Sequence, residues 1–180
     1  MIANATATAT EAYHFRKATE TDLPALIPLM RDTVAAMIAG GNDQWDDTYP
    51  SAQVMSKDIA AQTLEVLVET ATNRIVGCVT VDRFITPLWA GMAWTFPEDQ
   101  VTAVHRLMIH PSQQGKGLAK KMMQHVETVA REQHHSTCIR LDTYVKNTAA
   151  HALYPRLGYR YTGTADMRKG KYSCFEKPLN

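Results

Sequence analysis

The sequence predicts an α/β protein, with helices on both faces of one mixed β-sheet. Two observations carry this. Strand-like and helix-like stretches run in the order βααα-ββ-β-α-β-α-ββ, and such mixed alternation builds layers around a single sheet. The longest amphipathic stretch, 115–134, also follows closely on an apolar run at 101–109, as when a strand hands over to a helix.

The elements follow in order. YHFRKA (13–18) reads as a first strand. TETDLPALIPLMRDTVAAMIAGG reads as helix: Thr21 can cap it, and Leu23, Leu26, Ile27 and Met30 share a face. Pro28 predicts a kink or break, and Gly40-Gly41 close the region. NDQWDDTYP (42–50) is an acidic, aromatic loop, and 51–62 a short helix. TLEVLVET and RIVGCVTVDRF are strands joined by a turn at Ala71–Asn73. The segment 86–100, with Pro87, Gly91, Pro97 and two tryptophans, fits neither period. VTAVHRLMI is a strand, and 115–134 a helix with Leu118, Met122, Val126 and Val129 on one face. TCIRLDTYV is a strand and NTAAHALYPRLG a short helix. YRYTG and YSCFEKPL are closing strands.

Composition excludes several classes of function. The 180 residues suit one domain, 12–180, behind a tail at 1–11 expected to be disordered; the tail lacks the basic and apolar regions of a secretory signal. A net charge of +1 argues against a general nucleic-acid-binding surface. No apolar run approaches the roughly 18 residues that span a bilayer, so no membrane partner is expected. Cys78, Cys138 and Cys174 are odd in number and far apart, which predicts free thiols and a cytoplasmic protein. No HExxH or Ser-His-Asp pattern occurs and His134-His135 fall at a helix end, so no metal is expected.

The chemistry-bearing stretch is HPSQQGKGLAKKMM (110–123). Strand, glycine loop and helix make a phosphate site, because free N–H groups at a helix start point outward and glycine keeps Cβ atoms away. Lys116, Lys120 and Lys121 add charge at its mouth. A Walker A loop fails at Gly117, where Ser or Thr is needed, and a dinucleotide fingerprint fails at Lys120. These residues alone leave open a phosphate site and a glycine-softened helix start with solvated lysines.

Two spaced motifs narrow the choice. QGKGLA (114–119) resembles the Gln/Arg-x-x-Gly-x-Gly/Ala loop of the GNAT superfamily of acetyl-coenzyme A-dependent N-acetyltransferases, and HRLMIHP resembles the strand before that loop. NTAAHALYPRLGY (147–159) is similar to the family's Asn-x-x-Ala-x-x-Leu-Tyr-x-x-x-Gly-Phe/Tyr segment, and FRKATETDLPAL to its opening. The resemblance spans roughly 13–177. It implies acetyl-CoA as co-substrate and a sheet splayed between the strands at 101–109 and 138–144. The pantetheine arm would pair with the backbone of Leu107, Met108 and Ile109. The pyrophosphate would rest on the amides of Gln114, Gly115, Lys116, Gly117, Leu118 and Ala119, with Asn147 counted among the cofactor residues.

Acetyl transfer to an amine needs a proton acceptor, a polarised thioester and an acid for the leaving thiolate. The resemblance gives the acid role to Tyr154, seven residues after Asn147. Pro155 departs from the usual motif and is expected to push Tyr154 away from helical geometry. Asp142 stands where ribosomal-protein alanine acetyltransferases carry a base; it could equally hold the opened strand. His105 is the rival base, expected on one face with Leu107 and Ile109. Ala103 replaces a glutamate common in the family. Trp45, Asp46 and Tyr49, with Asp43 and Asp47 beside them, would bind a cationic amine; the alternative is a solvated loop anchored by Trp45. Trp89 and Trp94 are either a lid or packing. The acceptor is a small-molecule amine or a peptide N-terminus, and a homodimer stays open. The alternative function is a non-catalytic acyl-coenzyme A-binding or regulatory module.

Overall fold

Seven strands form one open sheet: β1 (Tyr13–Lys17), β2 (Leu64–Glu69), β3 (Arg74–Asp82), β4 (Val101–Ile109), β5 (Cys138–Tyr144), β6 (Arg160–Met167) and β7 (Gly170–Pro178). Their spatial order is β1-β2-β3-β4-β5-β7-β6, and only β4 and β5 run parallel. The helices are α1 (Leu23–Ala39), α2 (Ala52–Ala60), α3 (Leu118–Glu132) and α4 (Thr148–Arg156). The structure, a computed structural model, describes residues 11–179; the tail expected at 1–11 lies outside them apart from Glu11.

Two apolar layers sandwich the sheet. Met122 and Val126 of α3 and Tyr154 of α4 pack with Leu67, Val76 and Ile139 on one face. Leu26 of α1 and Met55 and Ile59 of α2 pack with Val66, Val68 and Cys78 on the other. The segment with no clear period, 86–100, supplies a third cover. Trp89, Met92 and Trp94 lie over Ala103, Ala165 and Cys174, beside the α1–α2 layer. The Trp94 indole donates to the Trp89 carbonyl, and the buried Arg140 guanidinium sits 4.4 Å from the Trp94 ring centre. Both tryptophans are therefore packing, and the segment reads without a period because it crosses a sheet face as irregular chain.

Three local expectations change. α1 runs unbroken through Pro28, which forfeits one ladder bond in the second turn while the flanking apolar face stays packed. Thr21 is not the cap; Asp22 closes the turn before α1, accepting the Thr19 N–H at 2.8 Å and both Arg16 amino groups at 2.7 and 2.8 Å. Pro155 is accommodated in the last turn of α4, and Tyr154 stays in the helix and buried.

The sheet opens where β4 and β5 part. They pair only from Val101 to Val104 and from Cys138 to Leu141. Beyond, β4 is bulged: Thr80 faces His105 and Cys78 faces Met108, so Val79 opposes two residues. Arg106 takes the extra position at φ 52°. The bulge corrects the expected alternation, because His105 points to the Trp89 side and Leu107 to the α3–α4 side. A left-handed non-glycine residue costs about 1–2 kcal/mol. Arg106 is held there by bonds from its Nε and Nη2 to Asp58 Oδ2, at 3.0 and 2.6 Å, and from Nη1 to the Tyr49 hydroxyl at 3.0 Å.

Candidate active site

The parting of β4 and β5 opens a cavity of about 410 Å³, and side chains from both faces of the sheet meet in it. Tyr154 reaches in from α4 on one face. His105 and Asp142 come from the other, under Trp89. Tyr154 belongs to the buried cluster under α3 and α4, and its hydroxyl bonds to no described residue. Burial, with Asp142 adding to it, raises its phenol well above the usual value, so it stays protonated at neutral pH.

Asp142 accepts the Trp89 indole N–H at 2.9 Å. Burial raises its carboxyl; the Trp89 bond and His105 pull the other way without cancelling the rise. His105 stacks on Trp89 with ring centres 6.0 Å apart, and its Nε2 lies 3.3 Å from Asp82 Oδ1 without hydrogen-bond alignment. Burial, the largest influence, would raise Asp82, but His105, the Phe84 N–H and Arg106 together hold the carboxyl below its usual value. The cavity thus brings together an acid that keeps its proton and two groups that can take one.

The glycine turn lies at the end of β4. Gly115 and Gly117 both have φ 77°, and a Cβ built on either meets nothing within 4 Å, so the space above the turn is open. Gly117 caps α3 without a side-chain bond, which leaves the first-turn N–H groups free for an anion. Gln114, Gly115, Lys116 and Gly117 are exposed, Ala119 is half-buried, and Leu118 is buried. Lys116 Nζ is drawn back onto Gln113 Oε1 at 2.7 Å. Met108 and Ile109 bury their side chains, so only their main chain can face a ligand; Leu107 lines the cavity. Past Val104 this main chain has no β5 partner, which leaves an edge suited to an extended amide-bearing arm. These residues fit acetyl-CoA. Asn147 lines the cavity, but its amide is engaged: Oδ1 accepts the Ala150 N–H at 3.1 Å and Nδ2 donates to Gln44 at 3.3 Å.

The acidic loop differs from expectation. Trp45 is buried against α1 and α2 and, like Tyr49, lines the cavity. Asp46 does not line it. Its Oδ2 pairs with Arg168 at 2.8 Å and Lys169 at 2.7 Å, and its Oδ1 accepts the Thr48 and Tyr49 N–H groups. Asp43 pairs with Lys146 at 3.0 Å. A free carboxylate cluster for a cationic amine is therefore replaced by ion pairs with residues more than 100 positions away. Arg106, Asp82, Arg168 and Tyr172 also line the cavity and have no motif to mark them. The sole sequence signal is Arg106 itself, a charge amid an apolar strand.

An open mixed sheet, a glycine turn at a helix start and a cavity at the strand parting define an acyl-coenzyme A-type transferase fold. Residues 30–159 match the model of the acetyltransferase (GNAT) family, and the chain belongs to that family. Among curated proteins it is similar to N-acetylaspartate synthetase of Xenopus tropicalis, 35% identical over 69 residues; the match covers 38% of this chain and spans a quarter of that protein. Among solved structures it resembles a GNAT-family acetyltransferase from Streptococcus agalactiae, with a TM-score of 0.82 and 22% identity over 93% of this chain and 96% of that one. It also resembles yncA of Salmonella typhimurium, solved with its cofactor acetyl-CoA, with a TM-score of 0.70 and 16% identity over 94% and 95% of the two chains. At those identities the likeness concerns the fold. No helix among the described residues is long and apolar enough to cross a membrane.

Proposed function

We propose that the chain is an N-acetyltransferase that moves an acetyl group from acetyl-CoA directly to a primary amine held in the cavity at the β4–β5 parting. One observation carries this: Tyr154 from one sheet face and His105 and Asp142 from the other converge on a single cavity where β4 and β5 part. Acetyl-CoA supplies the thioester and the thiolate leaving group. The open amides around Gly115 and Gly117 bind its pyrophosphate, and the unpaired β4 backbone at Leu107–Ile109 aligns its arm. Asp142 or His105 takes the proton that the incoming ammonium must lose before its nitrogen lone pair can attack. As the C–N bond forms and the C–S bond breaks, Tyr154 gives its proton to sulfur. It recovers one from the cavity, which receives the second proton shed by the amine. The balance is acetamide, free thiol and one proton from the ammonium.

Direct transfer is favoured because the chain offers no thiol nucleophile. Cys78, Cys138 and Cys174 are buried, and burial pushes each thiol up to about 12.

Thiol release from acetyl-CoA, measured over a panel of primary amines, tests the reading. Turnover on an amine is expected. Tyr154→Phe keeps the ring and should then lose about 10²–10⁴-fold in kcat with little change in KM for acetyl-CoA. A folded Tyr154→Phe enzyme with the parent kcat, where chemistry limits the rate, would exclude the acid role. Tight acetyl-CoA binding with no turnover on any amine would favour a binding module.

A further inference from the structure

One buried side chain touches both groups that can take the amine's proton. Trp89 donates its indole N–H to Asp142 Oδ2 at 2.9 Å, and its ring stacks on His105 with centres 6.0 Å apart and planes 15° from parallel. Packing alone does not require that bond. The neighbouring Trp94 satisfies its indole on a main-chain carbonyl, that of Trp89, at 3.0 Å. Trp89 instead directs its donor at a carboxylate that lines the cavity. The other oxygen of Asp142, Oδ1, accepts from no described residue. One oxygen is thus held, and the other is left to take a proton. The segment carrying Trp89 is fixed to the sheet just beyond it. The Ala93 N–H donates to the Thr162 carbonyl at 3.0 Å, and the Thr95 N–H to both oxygens of the buried Glu176, at 3.0 and 3.1 Å.

A carboxyl must be ionised to accept a proton. Burial raises that of Asp142, and the Trp89 bond is the larger of two influences that pull it back, His105 being the other. The remaining titratable groups that face Asp142 are Tyr154 from α4 and Tyr172 and Cys174 from β7. Burial pushes Tyr172 and Cys174 up to about 12 and raises Tyr154 too, so all three stay neutral at neutral pH. His105 Nε2 is sealed from solvent and lies 3.3 Å from Asp82 Oδ1, which keeps that nitrogen from an amine in the cavity. We propose that Trp89 is a positioning residue for the transfer: it holds Asp142 in place, and Asp142 rather than His105 takes the amine's proton. This rests on the acetyl-transfer reading above.

The test is the pH dependence of kcat, by thiol release from the full chain, on one primary amine that turns over and under conditions where chemistry limits the rate. Parent and Trp89→Phe are compared, and compared again with His105→Gln added to both. The kcat profile reports groups in the bound complex, and the amine's own ionisation is common to every enzyme in the set. Trp89→Phe keeps a ring against His105 and deletes only the donor. Losing a hydrogen bond to a charged acceptor should move the acid limb up by about 1–2 pH units, with KM for acetyl-CoA unchanged. The His105→Gln pair should show the same displacement. A Trp89 that only packs predicts a lower Tm and an unmoved limb, which would overturn the proposal. A displacement that vanishes with His105→Gln would overturn it too. If Trp89→Phe fails to fold, nuclear magnetic resonance of the parent decides. The chain has three tryptophans, and one of their indole N–H signals should titrate along with kcat and cease to do so in Asp142→Asn. Indole signals that ignore that pH range would refute the hold on Asp142. Turnover with an unmoved limb sinks this role alone, whereas no thiol release with any amine, alongside measured acetyl-CoA binding, would sink the transfer reading with it.

Discussion

Asp58→Ala probes the bulge that stands where the sheet opens. Arg106 sits at a left-handed φ in the middle of β4 and is tied to α2 through Asp58. Asp58 Oδ2 accepts three donors: Arg106 Nε at 3.0 Å, Arg106 Nη2 at 2.6 Å and Thr80 Oγ1 at 2.8 Å. The two charged side chains are only 14% and 16% exposed, so solvent screens them weakly. Removing one partner of such a pair leaves an uncompensated charge and costs about 3–5 kcal/mol. At about 2–4 °C per kcal/mol for a chain of this size, Tm should fall by about 6–20 °C. The released Arg106 can relax its backbone, the bulge loses its anchor, and KM for acetyl-CoA should rise. Calorimetry of the parent, Asp58→Ala and Asp58→Ala/Arg106→Met gives the decisive comparison. The double variant should be more stable than the single one, because no charge is left stranded. A drop in Tm below about 3 °C for Asp58→Ala, or a double variant less stable than the single, would refute this account of the bulge.

Gly117→Asp should weaken acetyl-CoA binding at least about tenfold with little loss of Tm. Aspartate tolerates a left-handed φ, while its carboxylate would repel the pyrophosphate; unchanged affinity by calorimetry would move the cofactor elsewhere. Asp142→Asn should lower turnover yet stabilise the fold at neutral pH. The Asp142 carboxyl is raised in the fold, so its favourable contribution is complete below the ordinary 3.8 and is lost as pH rises through the raised value. The Tm advantage of the variant should therefore be largest at pH 7–8 and shrink towards pH 4; a variant less stable than the parent at neutral pH would contradict the burial of that charge.

Local features were legible in the sequence, and tertiary charge pairing was not. The glycine turn could be read because its requirement is local: two residues at positive φ and a helix start without a side chain in the way. The strand–helix order was legible because its periods are local too. The β4 bulge was hidden, since nothing in VTAVHRLMI says that Arg106 will take a left-handed conformation; its anchor, Asp58, lies 48 positions away. The acidic loop misled for the same reason. Asp46 looked like a free carboxylate until the fold brought Arg168 onto it from 122 positions away. Trp89 could not be connected to Asp142 because the segment carrying it has no period to follow.

The bulge, the turn and the acid act at separable points. If the bulge sets the parting of β4 and β5, Asp58→Ala must change stability and cofactor KM together. If the turn holds only the pyrophosphate, Gly117→Asp must change affinity while Tm and the acceptor preference stay. If Tyr154 acts only as the C–S bond breaks, Tyr154→Phe must change kcat alone. The cavity exists only where the sheet has opened, so the first perturbation reaches the other two functions, whereas neither of the others can reach back to the sheet. This one-way dependence would follow from β4 being covalently continuous with both the cavity and the turn, while Tyr154, the proposed acid, comes from a helix packed on one face of the sheet.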